Sequence, residues 1–151
     1  MAQEALFYRR RLPHWHETSA CYFVTWRLAQ GQAELDAFER DAVISALRYF
    51  DEKRYELTAF VVMNDHVHVM LRCLNNHSLE QIVHSWKSFV ANDLQRTSRR
   101  KGALWQDESF DRVIRNEREL ADTLNYILNN PSSRWPEIRN YRWLYIRTPE
   151  F

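Results

Sequence analysis

Tyr55 to Cys73 reads YELTAFVVM, then ND, then HVHVMLRC. The first nine residues are rich in apolar, β-branched and aromatic side chains, the pattern of a strand. Asn64-Asp65 follows as a two-residue turn, where both residue types tolerate positive φ. His66 to Cys73 is then the antiparallel partner strand. Successive strand residues point to opposite faces. Val67, Val69 and Leu71 fall on a packing face, and His66 and His68 share the other. Two imidazoles so placed can share one metal ion.

Outward from this hairpin the elements alternate. Cys21 to Leu28 (CYFVTWRL) reads as a first strand, followed by the loop Ala29-Gln30-Gly31-Gln32. Leu35, Phe38, Ala42, Val43, Ala46, Leu47 and Phe50 keep helical spacing and give a first helix. Leu79, Ile82, Val83, Trp86, Phe89, Val90 and Leu94 mark a second, which runs out into the basic loop Arg99-Arg100-Lys101-Gly102. Leu104 to Ile114 supplies a short fourth strand. Asn116 is an N-cap with Glu119 as its capping partner. A third helix runs to about Asn130, where Pro131 stops it. The order β-α-β-β-α-β-α predicts an α+β chain whose first six elements match the split βαβ, ferredoxin-like arrangement. Such an antiparallel sheet carries helices on one face and leaves the other free. The histidine face is expected to be the free one, with the extra helix packed near it.

Composition narrows the classes. The chain has 151 residues, 45% of them hydrophobic, with a net charge of +1. It is expected to be one domain over 1–151, with a basic N-terminal arm over 1–18 and an Arg/aromatic tail over 132–151. With Gly31 and Gly102 the only glycines, neither a Walker loop nor a dinucleotide fingerprint can be built. No apolar run is long enough to span a membrane, and the N-terminus has no apolar signal region. Cys21 and Cys73 read as buried free thiols, which fits a reducing cytoplasm. Basic residues are clustered rather than general, at Arg9-Arg10-Arg11 and from Arg96 to Lys101, which suits a specific groove.

Two imidazoles favour Mn, Zn, Fe, Co or Ni over Mg. His14-Trp15-His16 has the same spacing but lies in an irregular segment after Pro13, and reads as structural or DNA-contacting. His77 and His84 read as isolated surface histidines. On the third helix, Leu120, Leu124, Ile127 and Leu128 form the apolar stripe. Tyr126 lies off it, with Asp122 and Asn130 one turn before and one turn after. A phenol with an ordinary pKa near 10 is a poor nucleophile and needs a nearby cation or base. Asn130 can offer an amide oxygen as a third ligand.

His66-Val67-His68 is similar to the HUH motif, in which U is a hydrophobic residue. Tyr126-Ile127-Leu128-Asn129-Asn130-Pro131 resembles the YIxxNP segment of single-tyrosine (Y1) HUH transposases of the IS200/IS605 type. Leu104-Trp105-Gln106 and Ser109-Phe110-Asp111-Arg112-Val113-Ile114-Arg115 resemble that family's sequence before the tyrosine helix. Arg10-Arg11-Leu12-Pro13-His14 and Phe23-Val24-Thr25-Trp26-Arg27-Leu28 look more specifically like the branch associated with repetitive extragenic palindromes (REP). The resemblance implies a transposase that cuts single-stranded, hairpin-containing DNA with Mg²⁺ or Mn²⁺. It implies Tyr126 as nucleophile, a 5′-phosphotyrosine intermediate, and His66, His68 and Asn130 as metal ligands. It also implies a monomer or a homodimer, placed in the cytoplasm with the nucleoid.

Arg9, Arg10 and Arg11 are candidate DNA contacts, as are Lys87 on the second helix and Arg99, Arg100 and Lys101 in the loop after it. In the tail, Trp135, Tyr141, Trp143 and Tyr145 interleave with arginines. They read either as stacking platforms for unpaired bases or as a cover over the core. Two other functions fit the same residues: a non-catalytic hairpin DNA- or RNA-binding module, and a hydrolase using the histidine pair alone.

Overall fold

The computed structural model describes residues 20–148; Arg9, Arg10, Arg11, His14 and His16 lie outside them. The elements are β1 (Cys21–Arg27), α1 (Ala37–Tyr49), β2 (Tyr55–Val62), β3 (His66–Cys73), α2 (Leu79–Thr97), β4 (Phe110–Ile114), α3 (Glu117–Arg134) and β5 (Leu144–Ile146). The strands form one antiparallel sheet in the order β4-β1-β3-β2-β5. This α+β architecture is consistent with a ferredoxin-like core. Among the described residues, no helix is long and apolar enough to cross a membrane.

The helix starts follow local chemistry. Asp36 and Ser78 each close a capping box with Glu39 and Gln81. Asn116 Oδ1 accepts from Glu119 N–H at 2.9 Å, but the Glu119 carboxylate reaches Arg115 N–H at 2.8 Å, one residue before the cap.

The sheet separates two cores. On one face Val24, Trp26, Val67, Val69 and Leu71 pack under α1 and α2 through Leu47, Trp86 and Leu94. On the other, Phe23, Ala59, Val61, Met63 and Met70 meet Leu120, Leu124 and Ile127 of α3. The expectation of a free second face is therefore corrected. α3 covers its β2 half, because its apolar stripe has to be buried somewhere.

Three further expectations change, and one left open, the role of the tail, is decided. Neither Asn64 nor Asp65 has positive φ. Their turn is stapled instead, the Asn64 carbonyl accepting from Leu35 N–H at 2.7 Å and the Asp65 carbonyl from Leu28 N–H at 2.9 Å. The fourth strand begins at Phe110, and Trp105 makes only an isolated bridge to Leu28. α3 does not stop at Pro131, which is buried inside it. Proline cannot donate to the Ile127 carbonyl, yet the helix gains one more turn, closed by Trp135 N–H on the Pro131 carbonyl at 2.7 Å. The tail forms β5 along β2, with Tyr145 against Phe60 and Trp143 Nε1 donating to Asp41 at 2.8 Å. These tail rings act as a cover.

Candidate active site

The β1–β3 register sets Thr25 opposite His68 and Arg27 opposite His66. Both histidines therefore lie on the α3 face, as their alternation predicts. Asp65 Oδ1 accepts from His66 Nδ1 at 2.6 Å, and Thr25 Oγ1 lies 2.7 Å from His68 Nδ1. Each imidazole is thus oriented through Nδ1, leaving Nε2 for another partner. This is the outer-shell arrangement that fixes the tautomer of a metal-binding histidine.

The two imidazoles are neighbours, and one of them meets Asn130. The two rings stand 4.7 Å apart at 75°. His66 Nε2 lies 3.3 Å from Asn130 Oδ1. With Nδ1 engaged by Asp65, His66 Nε2 and the Asn130 amide oxygen face each other, and both are donor atoms that suit a cation. His68 Nε2 is buried and has no hydrogen-bond partner among the described residues, and such orphans are rare. Burial, with the nearby charges of His66 and Arg27, pushes the His68 imidazole down to about 3, so it stays a neutral donor. Among the described residues no cluster of three or more His, Cys, Asp or Glu side chains could hold a metal. The third protein donor that fits is the Asn130 amide oxygen.

Tyr126 is 54% exposed. Its ring stands edge-on to His68 at 5.2 Å and to Phe23 at 6.1 Å, and Phe23 stacks on His68 at 5.3 Å. The Tyr126 ring is thus open to solvent while it borders the buried imidazole of His68. Of the site residues predicted by sequence, His66, His68, Tyr126 and Asn130 are brought together. Thr25 was missed as the His68 partner. Its signal was the alternation Cys21, Phe23, Thr25, Arg27 on one face of β1.

The basic candidates divide. Lys87 Nζ donates to the Gln106 carbonyl at 2.8 Å, the Asp107 carbonyl at 3.3 Å and Ser109 Oγ at 3.2 Å. It tethers the loop leading into β4. Arg100 is no phosphate grip. Its guanidinium makes five bonds, two to the Glu39 carboxylate at 2.5 and 2.8 Å and three to Gln32, Ala33 and Glu34. That uses all five N–H donors. Arg99 and Lys101 are exposed. His77 and His84 lie on the α1/α2 side, away from the pair: His77 lines a cavity with Trp86, and His84 bonds Ser88.

The family described as "Transposase IS200 like" matches residues 36–130, from the N-cap of α1 through Asn130. The chain belongs to the IS200-like transposase family. No curated protein sequence matches it. Among solved structures it is similar to a REP-associated tyrosine transposase bound to a REP hairpin, with 17% identity, 82% of this chain and 74% of that one covered, and a TM-score of 0.66. It is also similar to a putative transposase from Deinococcus radiodurans R1, with 21% identity, 77% and 94% covered, and a TM-score of 0.55. These two likenesses concern the fold. Family membership supports a metal-dependent, DNA-cleaving HUH-type mechanism in general.

Proposed function

We propose that the chain is a metal-dependent, single-stranded DNA endonuclease and strand transferase of the REP-associated type, built on a ferredoxin-like βαββαβ core. Its partner is hairpin-containing DNA at the cytoplasmic nucleoid, and its metal is Mg²⁺ or Mn²⁺. The observation that carries this reading is the His66 Nε2–Asn130 Oδ1 contact, with the His68 imidazole and its orphaned Nε2 next to it and the accessible ring of Tyr126 alongside.

A bound cation would lower the energy of charge developing on the scissile phosphate. Asp65 and Thr25 hold the imidazoles in the tautomer that binds it. The Tyr126 oxygen attacks phosphorus, forming a phosphotyrosine bond as the bond to the 3′ oxygen breaks. The phenolic proton leaves to solvent, and the departing oxygen takes one up as a 3′-OH. The retained ester lets a later 3′-OH reseal without ATP. Arg99 and Lys101 contact flanking phosphates, and Arg9, Arg10 and Arg11, outside the described residues, are further candidate DNA contacts.

The test is a denaturing gel. End-labelled hairpins from the DNA flanking the gene are incubated with Mn²⁺, Mg²⁺ or chelator, using wild type and Tyr126→Phe. The expected result is an SDS-resistant, metal-dependent adduct in wild type only. Hairpin binding without an adduct under either metal would identify a non-catalytic binding module instead.

A further inference from the structure

α3 covers the histidine face unevenly. Its buried side chains meet β2 through Ala59, Val61 and Met63, and Leu144 and Ile146 close that side. Along β4 the cover ends: Ile114 is buried with Leu120, whereas the Phe110 end of the same face is exposed. The β1–β4 register sets Thr25 opposite Phe110 and Phe23 opposite Arg112. Phe110, Arg112 and Arg27 therefore share the face of His66, His68 and Tyr126. Phe110 is 61% exposed, and Arg112 and Arg27 are exposed as well.

A single exposed phenylalanine is ordinary on a protein surface. Here it stands in an edge strand between two cations, on the side where the nucleophile is open. Arg112 is already oriented: its guanidinium lies 5.3 Å over the Phe23 ring and donates to Thr123 Oγ1 at 2.9 Å. Thr123 lies one turn before Tyr126 on α3. Arg27 ends β1 directly across from His66. Upstream, the Lys87 tether fixes the loop that delivers Phe110.

We infer that Phe110, Arg112 and Arg27 form a nucleotide subsite that takes one unpaired base and its phosphates as the strand leaves Tyr126 across the β4 edge. The base stacks on Phe110, and the arginines pair with the phosphates on either side. This rests on the reading of the substrate as single-stranded DNA. Aromatic stacking tolerates any base, so the subsite selects for an unpaired nucleotide rather than for a sequence.

The experiment uses the full chain carrying Tyr126→Phe, so that nothing is cut. The probe is a hairpin from the flanking DNA with single-stranded tails, carrying 2-aminopurine at each tail position in turn. Binding is expected to quench one position. Phe110→Leu should abolish that quench and weaken binding by about tenfold, whereas Phe110→Trp should retain both. Arg27→Gln and Arg112→Gln should each lower the slope of log affinity against log salt by about 0.7. Unchanged quenching in Phe110→Leu, or no quench at any position, overturns the inference. The adduct assay on wild type judges the cleavage reading separately: a lost adduct with a Phe110-dependent quench leaves the subsite standing.

Discussion

Thr25 Oγ1 lies 2.7 Å from His68 Nδ1, across the β1–β3 pair and inside the sheet's buried face. That contact decides which imidazole nitrogen is left to bind. Thr25→Val removes it while keeping the shape of the side chain. We expect Mn²⁺ affinity to fall about 10–100-fold, with a stability loss of about 1–3 kcal/mol from the stranded donor. Thr25→Ser should restore both. Calorimetric Mn²⁺ titration and urea unfolding are the measurements, and unchanged affinity in Thr25→Val would remove Thr25 from the site.

His68 also sets a pH dependence. In the folded chain its imidazole is pushed down to about 3, while the unfolded chain protonates it near 6.5. The unfolded state thus binds the extra proton. Stability from the neutral, buried ring is complete above 6.5 and is lost as pH falls toward the folded value. The slope is at most about 1.4 kcal/mol per pH unit. His68→Gln should flatten the metal-free stability curve below pH 6.5, measured by urea unfolding. A variant with the wild-type slope would contradict this.

Arg100 and Glu39 form a clamp between the loop after α2 and the start of α1. Their side chains are 11% and 4% exposed. Arg100→Ala leaves a buried carboxylate unpaired and should cost about 3–5 kcal/mol. The Arg100 guanidinium, by hydrogen bonding, holds the Glu39 carboxyl below its ordinary 4.5. The clamp is therefore intact above pH 4.5 and weakens as pH falls through the lowered value. Glu39→Gln should lose this acid limb, and its persistence in denaturation profiles would refute the assignment.

Arg99 follows the C-cap of α2 with φ at 54°, where glycine is usual. Its backbone cost is about 1 kcal/mol. Arg99→Gly should raise stability by about that amount and lower the salt slope of hairpin binding by nearly one contact. Lys101→Gln should lower the slope alone. If Arg99→Gly leaves the slope unchanged, Arg99 has no role at phosphate.

The hairpin was legible because its cues agree. β3 spans His66–Cys73 as read, since one strand carries alternating donors and core residues. α3 was expected near the second face, but that it buries part of that face was not read, although β2 held the sign: Leu57 to Met63 is buried throughout, as strands covered on both faces require. Phe38 and Phe89 fit the helical stripes by angle but are 61% and 58% exposed. Spacing gives the direction of a side chain, not what lies opposite it. The Arg100–Glu39 clamp joins positions that no local pattern links. β5 was hidden because a three-residue strand has too little alternation to register.

Tyr126 and Asn130 are one helical turn apart, a rise of about 6 Å. Under the proposed roles, nucleophile and third ligand ride on a single lever. Tilting that lever disarms both together, so the nuclease has no half-cocked form while the helix is whole. The lever's one missing rung is the bond Pro131 cannot give to the Ile127 carbonyl, and it spans the stretch between the two groups. Ile127 and Pro131 are both buried, so the helix stays seated across that gap and the two groups remain tied.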